Sequence, residues 1–170
     1  VYAAYGPGEE VSLASVVLKT LIERGETVTT AESCTGGMLI SHLIDCPGAS
    51  AAVHEGHVTY SNEAKMRVLG VRAETLEKHG AVSAECALEM AEGARRVSGS
   101  DWAIATTGVA GPDGGTPEKP VGLVYVGIAG PDGARAERLM LRGDRDWIRT
   151  LTCQTALNML RAAVPPASRQ

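Results

Sequence analysis

The sequence contains no phenylalanine, and two Trp and four Tyr bring its aromatics to only 4 % of 170 residues. A core must therefore be assembled from Ala, Val, Leu and Ile. Cysteine is scarce as well. The four residues, at 34, 46, 86 and 153, form no C-x-x-C pair, so a disulfide scaffold, a zinc knuckle and a thioredoxin-type motif find no support. Positive charge is in deficit: the net charge of −4 offers no general basic face with which to release counterions from nucleic acid. No apolar run reaches the length of a membrane span and no basic-apolar-small leader is present, so a reducing, cytoplasmic setting without membrane is expected. Neither G-x-G-x-x-G nor the G-K-[ST] of a P-loop occurs, which disfavours a nicotinamide oxidoreductase and a Walker-type nucleotide site.

What is present fits one globular domain. Hydrophobic residues make up 44 % and charged residues 21 %, and 170 residues can bury a core without staples. Twenty Gly and eight Pro imply several tight loops. Residues 1–10 (V-Y-A-A-Y-G-P-G-E-E) read as an extended lead-in or linker, 11–164 as one domain and 165–170 as a polar tail.

Within the domain, Leu13, Val16, Val17, Leu21 and Ile22 follow helical spacing up to Gly25. A short strand over 28–31 turns through A-E-S-C-T-G-G (31–37) into a helix ending near 44. A strand over 53–60 carries Gly56, and Ser61 caps a short helix with Glu63, Lys65 and Leu69. A helical piece over 74–78 precedes a longer helix over 84–97 capped by Ser83. Strands are expected over 102–106, 123–128 and 135–141, the last two joined by the turn G-P-D-G at 130–133, and a final helix over 147–163. Helices separate the first three strands and the last three strands are consecutive. The expectation is a three-layer α/β/α domain with a mixed, about five-stranded sheet.

Three segments could carry chemistry. Ser33, with Cys34, Thr35, Gly36 and Gly37, lies on a strand-to-helix turn that aims backbone N–H groups outward, suited to an anion or a developing oxyanion. A serine placed there can also do no more than cap the helix. The string is not the G-x-S-x-G of hydrolases. A nucleophilic serine needs a base, and the four histidines, at 42, 54, 57 and 79, suggest none; His54-x-x-His57 on a strand sends its two rings to opposite faces and makes a poor metal site. Lys65 is the other candidate base. Tyr60 ends a strand and Lys65 begins the next helix in V-T-Y-S-N-E-A-K (58–65), so both can face one cleft. A lysine acts as base only where desolvation or a neighbouring cation lowers its pKa, and an isolated lysine is commonly a solvated surface group.

The second segment is the loop T-G-V-A-G-P-D-G-G-T-P-E-K-P-V-G (107–122). Gly108, Gly111, Gly114 and Gly115 let backbone approach a ligand closely, Thr107 and Thr116 offer hydroxyls and Lys119 a charge. An ordinary surface loop is the alternative, although loops this long in compact domains are usually functional or disordered. The third is a run of five arginines (135, 138, 142, 145, 149) against Glu137, Asp144 and Asp146. Arg145 and Arg149 share a helix face and suit a phosphate, although pairing with the adjacent acids explains such a cluster equally well.

Together, A-E-S-C-T-G-G, G-H-V-T-Y-S-N-E-A-K, the 107–122 loop and G-D-R-D-W-I-R (143–149), in this order, resemble the C-terminal domain of the competence/damage-inducible protein CinA. The same domain stands alone as the nicotinamide mononucleotide deamidase PncC. The resemblance covers residues 11–164 and implies a three-layer sandwich with a mixed five-stranded sheet. It implies hydrolysis of the carboxamide of nicotinamide mononucleotide to nicotinate mononucleotide and ammonia, a step of pyridine nucleotide recycling, with no cofactor and no metal. By motif it assigns Ser33 as nucleophile, Lys65 as base and Tyr60 as assisting hydroxyl. Cys34, Thr35, Gly36, Gly37, Thr107, Gly108, Gly111, Arg145 and Arg149 are expected to surround the nucleotide. The partner is then a small-molecule nucleotide, and a homo-oligomer is expected. The lead-in resembles the linker region of full-length CinA. Two rival readings stay open: a non-catalytic nucleotide-binding or regulatory domain, and a cysteine enzyme using Cys34 with His54 or His57.

Overall fold

In a computed structural model the structure describes residues 12–166. The lead-in at 1–10 and the end of the tail at 167–170 lie outside the described residues. Among the described residues six helices and five strands follow in the order α1 (Leu13–Arg24), β1 (Val28–Glu32), α2 (Met38–Ile44), β2 (Val53–Val58), α3 (Asn62–Ala64), α4 (Ala73–His79), α5 (Ala84–Ser98), β3 (Trp102–Gly108), β4 (Leu123–Gly130), β5 (Gly133–Met140) and α6 (Arg145–Ala163). Helix α3 runs directly into a π turn over Lys65–Leu69, and a short 3₁₀ turn, Ala49–Ala51, precedes β2.

The strands form one sheet in the order β2-β1-β3-β4-β5. β1 is parallel to both β2 and β3; β3, β4 and β5 are antiparallel in sequence. The expected three-layer α/β architecture with a mixed five-stranded sheet is what forms. Local signals set many of its boundaries. Ser12, Ser61, Ser83 and Asp144 each accept a hydrogen bond from a first-turn backbone N–H of the following helix. Gly25 and Gly99 close α1 and α5 in the left-handed conformation. Several elements run a residue or two past the sequence expectation, and β2 stops at Val58, two residues short of it.

Alternation along the strands divides the interior. On one face Val28, Ile104, Val124, Val126 and Ile128 pack beneath Leu18 and Leu21 of α1, Leu39 and Leu43 of α2, and Ile148, Leu157 and Leu160 of α6. On the other, Ala31, Ala103, Ala105 and Ala129 meet Met90, Ala91 and Ala94 of α5, with Leu69 and Val71 beside them. The small residues on this second face bring helix and sheet close together: a Cβ at Gly127 would stand 2.3 Å from the Ala87 carbonyl oxygen. A core without phenylalanine is thus achieved by branched aliphatics on one face and near-contact backbones on the other.

The topology also fixes where a ligand can sit. From β1 the chain leads through α2 to β2 on one side. From β2 it crosses through α3–α5 to β3 on the other side. The switch lies between β1 and β3, and open α/β sheets bind ligands beyond the carboxyl ends of strands at such a point. Among the described residues no helix is long and apolar enough to cross a membrane.

Candidate active site

The carboxyl ends of β1 and β3 open into a cavity of about 220 Å³ whose lining includes Ser33, Tyr60, Lys65, Thr107, Gly108 and Arg145. A larger groove of about 900 Å³ runs between the start of α1, the end of α2 and the middle of α6. Its sulfur contacts run from Cys46 to Ser12 Oγ and to the His42 carbonyl; no hydrogen bond there joins a nucleophile to a base. In the smaller cavity a lysine amine stands within hydrogen-bonding distance of a serine hydroxyl.

Ser33 follows directly on β1, and its N–H donates to the Thr106 carbonyl of β3 at 2.9 Å. Its side chain lies on the α5 side of the sheet. Lys65 reaches it from the first position of the π turn. Leu69, four residues on, packs with α5 and draws the Lys65 side chain inward; π turns of this kind are frequent at functional sites. Lys65 is only 1 % exposed. Its Nζ stands 3.0 Å from Ser33 Oγ, 2.9 Å from the Thr59 carbonyl oxygen and 3.2 Å from that of Tyr60. No carboxylate bonds to it among the described residues. Burial therefore holds its pKa below the ordinary lysine value, opposed by the weaker influence of the Cys86 and Cys34 thiols.

Tyr60 joins this group differently from Ser33 and Lys65. Its backbone carbonyl accepts from Lys65, while its side chain is 65 % exposed at the cavity mouth. Thr107 is buried, and its hydroxyl donates to the Ala81 carbonyl at 2.7 Å. Gly108 is filled on its inner side by Val124, which a Cβ would meet at 2.7 Å. Gly111 offers its carbonyl oxygen to Arg145 at 2.8 Å, so one arginine lines the cavity and also ties the 107–122 loop to α6. Lys119 closes the other end of that loop by donating from Nζ to the His79 carbonyl.

The turn from 33 to 37 shows a division of labour. Gly36 and Gly37 adopt positive φ (59° and 95°), which a side chain would strain. The amides of Cys34, Thr35 and Gly36 donate to no protein acceptor among the described residues. The Gly37 amide, grouped with them on sequence grounds, is occupied: it donates to Glu32 Oε2 at 2.9 Å. Arg149 turns toward the same segment, one terminal nitrogen donating to the Thr35 carbonyl at 2.8 Å, with Asp146 3.7 Å from the other. The structure thus brings Ser33, Lys65, Thr107, Gly108 and Arg145 around one cavity, places Arg149 behind the turn and leaves the Tyr60 side chain at the rim.

Glu32 is the residue that sequence reading passed over. Fully buried, it sends its carboxylate to the opposite side of the sheet from Ser33. Oε2 accepts from the Thr35 hydroxyl at 2.6 Å and from the Gly37 and Leu39 amides at 2.9 and 3.0 Å. Oε1 accepts from the Ile40 amide at 2.9 Å and the Thr30 hydroxyl at 3.3 Å. A glutamate as the last residue of a fully buried strand, just before a glycine turn, was the available signal.

The cysteine alternative fares worse in this geometry. Burial pushes the Cys34 thiol up to about 11, and no histidine is hydrogen-bonded to it among the described residues. His54 is exposed, and the Nε2 of His57 is buried without a hydrogen-bond partner. Among the described residues no group of three His, Cys, Asp or Glu side chains is arranged to hold a metal ion.

Comparison with known proteins places the chain in a family. Residues 10–164 match the family model described as the CinA C-terminal domain. A CinA-like protein of Kosmotoga olearia is 49 % identical over 162 residues, covering 95 % of this chain and 39 % of the relative. A CinA-like protein of Citrifermentans bemidjiense is 55 % identical over 141 residues, covering 83 % of this chain and 34 % of the relative. The chain thus spans between a third and two fifths of the length of these curated relatives. Among solved structures, the competence/damage inducible protein CihA from Agrobacterium tumefaciens superposes with a TM-score of 0.87 at 45 % identity, covering 88 % of this chain and 92 % of the other. A CinA superfamily protein from Klebsiella pneumoniae gives 0.86 at 39 % identity, covering 89 % and 95 %. With a family model matched over nearly its whole length and relatives near half identity, the chain belongs to the CinA C-terminal domain family.

Proposed function

We propose that this domain is a serine amidohydrolase that deamidates nicotinamide mononucleotide, yielding nicotinate mononucleotide and ammonia. The observation that carries the reading is the buried Lys65 Nζ at 3.0 Å from Ser33 Oγ, with two backbone carbonyls as its other neighbours. A neutral lysine has two N–H bonds and one lone pair. With both hydrogens given to the Thr59 and Tyr60 carbonyls, the lone pair is left for Ser33. The carbonyls orient the base, and burial favours its neutral form.

The reaction follows from this arrangement. Lys65 takes the Ser33 proton as Oγ adds to the carboxamide carbon. Amides of the 34–36 turn stabilise the oxyanion, each such donor being worth about 3 kcal/mol. The Lys65 ammonium returns a proton to the departing nitrogen, which leaves as ammonia, and water then hydrolyses the acyl-serine with Lys65 again as base. Lys65 and Ser33 are in direct contact, so no relay through Tyr60 is needed, and the Tyr60 hydroxyl is free to assist at the mouth. Arg145 lies where a phosphate held at the rim gains a charged hydrogen bond. That remote grip positions the amide over Ser33.

The test is ammonia release from nicotinamide mononucleotide by the wild-type protein, with Ser33→Ala as control. Release that disappears in Ser33→Ala supports the reading. Tight binding of the nucleotide without ammonia release makes this a nucleotide-sensing domain instead.

A further inference from the structure

Ser33 can receive help from the 34–36 amides only if the turn holds one shape, and that shape is not self-supporting. Two glycines at positive φ leave it conformationally soft, and Gly37, the residue before α2, has no side chain with which to cap the helix. The cap comes from behind. Glu32 satisfies the Gly37, Leu39 and Ile40 amides, and through Oε2 it also grips the Thr35 hydroxyl. Thr35 Oγ1 is in turn 2.7 Å from Thr106 Oγ1 of β3.

We propose that Glu32 is a positioning residue for the nucleophile. Its carboxylate fills the start of α2 and clamps Thr35, and so holds the turn that presents the Cys34, Thr35 and Gly36 amides beside Ser33. Glu32 and Ser33 are adjacent in sequence but face opposite sides of the sheet, so the clamp acts without entering the cavity. The anion at this helix start is thus supplied by the protein, and a substrate phosphate has to be held elsewhere. The inference rests on Ser33 being a nucleophile and does not depend on which amide is hydrolysed.

Glu32→Gln is close in volume and separates a clamp from a filler. The glutamine amide nitrogen must face either the Gly37 and Leu39 N–H groups or the Ile40 N–H. Either flip sets donor against donor. The reading is the rate at which Ser33 is phosphonylated by a fluorophosphonate, in which Oγ displaces fluoride and its proton passes to Lys65. It is measured beside kcat and KM for nicotinamide mononucleotide in the full chain. Displacing a reacting group by about 1 Å costs on the order of 100-fold. We expect labelling and kcat to fall together by about 10- to 100-fold, with KM within about threefold and the pH midpoint of turnover unchanged, because Lys65 lies across the sheet.

Wild-type labelling and kcat in a folded Glu32→Gln overturn the proposal, as does a loss confined to KM. If Glu32→Gln does not fold, the pair Thr35→Val and Thr35→Ser decides. Loss in the valine variant with recovery in the serine variant supports the clamp, and equal behaviour of the two overturns it. A wild-type protein that labels at Ser33 but releases no ammonia from the nucleotide fails the proposed function while leaving this readout in force. A wild type that does not label at Ser33 overturns both.

Discussion

Glu32 and Lys65 are both ionisable and almost wholly buried, within one residue and one hydrogen bond of Ser33, yet their surroundings are opposite. Glu32 is saturated: five donors converge on its two oxygens. Lys65 has two carbonyls and one hydroxyl and, among the described residues, no carboxylate. A saturated buried charge has little left to offer and serves to hold its neighbours. A buried amine with a serine on its third side can exchange a proton. Burial alone therefore does not mark a reacting group; the number and kind of its partners do.

The sharpest way to break this contrast is at the serine itself. Ser33→Ala should lower deamidation by about 1,000-fold or more while leaving thermal unfolding and nucleotide binding close to wild type, since only one hydroxyl is lost. Cys34→Ala, by contrast, should keep substantial activity. Ammonia release paired with a binding isotherm checks both variants. A dead Cys34→Ala beside an active Ser33→Ala would transfer the role to the thiol.

Lys65→Arg tests whether the base gives up a proton or merely supplies charge. Guanidinium stays protonated, so turnover should fall by about 100- to 10,000-fold, the range of general-base catalysis. In the wild type the sign follows from burial. A lysine pKa lowered in the folded protein keeps more neutral amine at any given pH, so the rate should rise with pH and level off below the usual lysine value of about 10.4. A rate that falls across that range, or near-normal turnover in Lys65→Arg, would contradict the assignment.

Arg145→Ala sharpens the comparison at the rim. Removing a charged hydrogen bond should weaken binding of the mononucleotide by about tenfold or more and that of its dephosphorylated riboside far less. Equal losses would mean that Arg145 acts only by holding the Gly111 carbonyl. The smallest effect on chemistry should come from Gly127→Ala. Its new Cβ has no room against the Ala87 carbonyl, and overpacking of this kind costs about 1–3 kcal/mol. Denaturant unfolding should register that loss, while the kcat of the remaining folded protein stays near wild type.

The sequence by itself determined the helices, the strands and their alternation, because serine and aspartate caps, glycine stops and hydrophobic spacing act over a few residues. Ser33 and the loop from Thr107 were legible as candidates for the same reason: glycine-rich turns at strand ends advertise themselves locally. Lys65, Tyr60 and Arg145 were candidates by their placement at strand and helix ends, and the four ordered motifs, through family resemblance, gave them roles. Which side each residue faces was a matter for the tertiary structure. A one-residue step along β1 sends Glu32 beneath α2 and leaves Ser33 for Lys65 on the other face of the sheet. Lys65 loses its water only when its π turn packs beside α5, and Arg149 meets the Thr35 carbonyl across 114 residues of chain. Partners so distant in sequence have no local signal, since the hydrogen bonds that set their roles exist only once the sheet has assembled and excluded water.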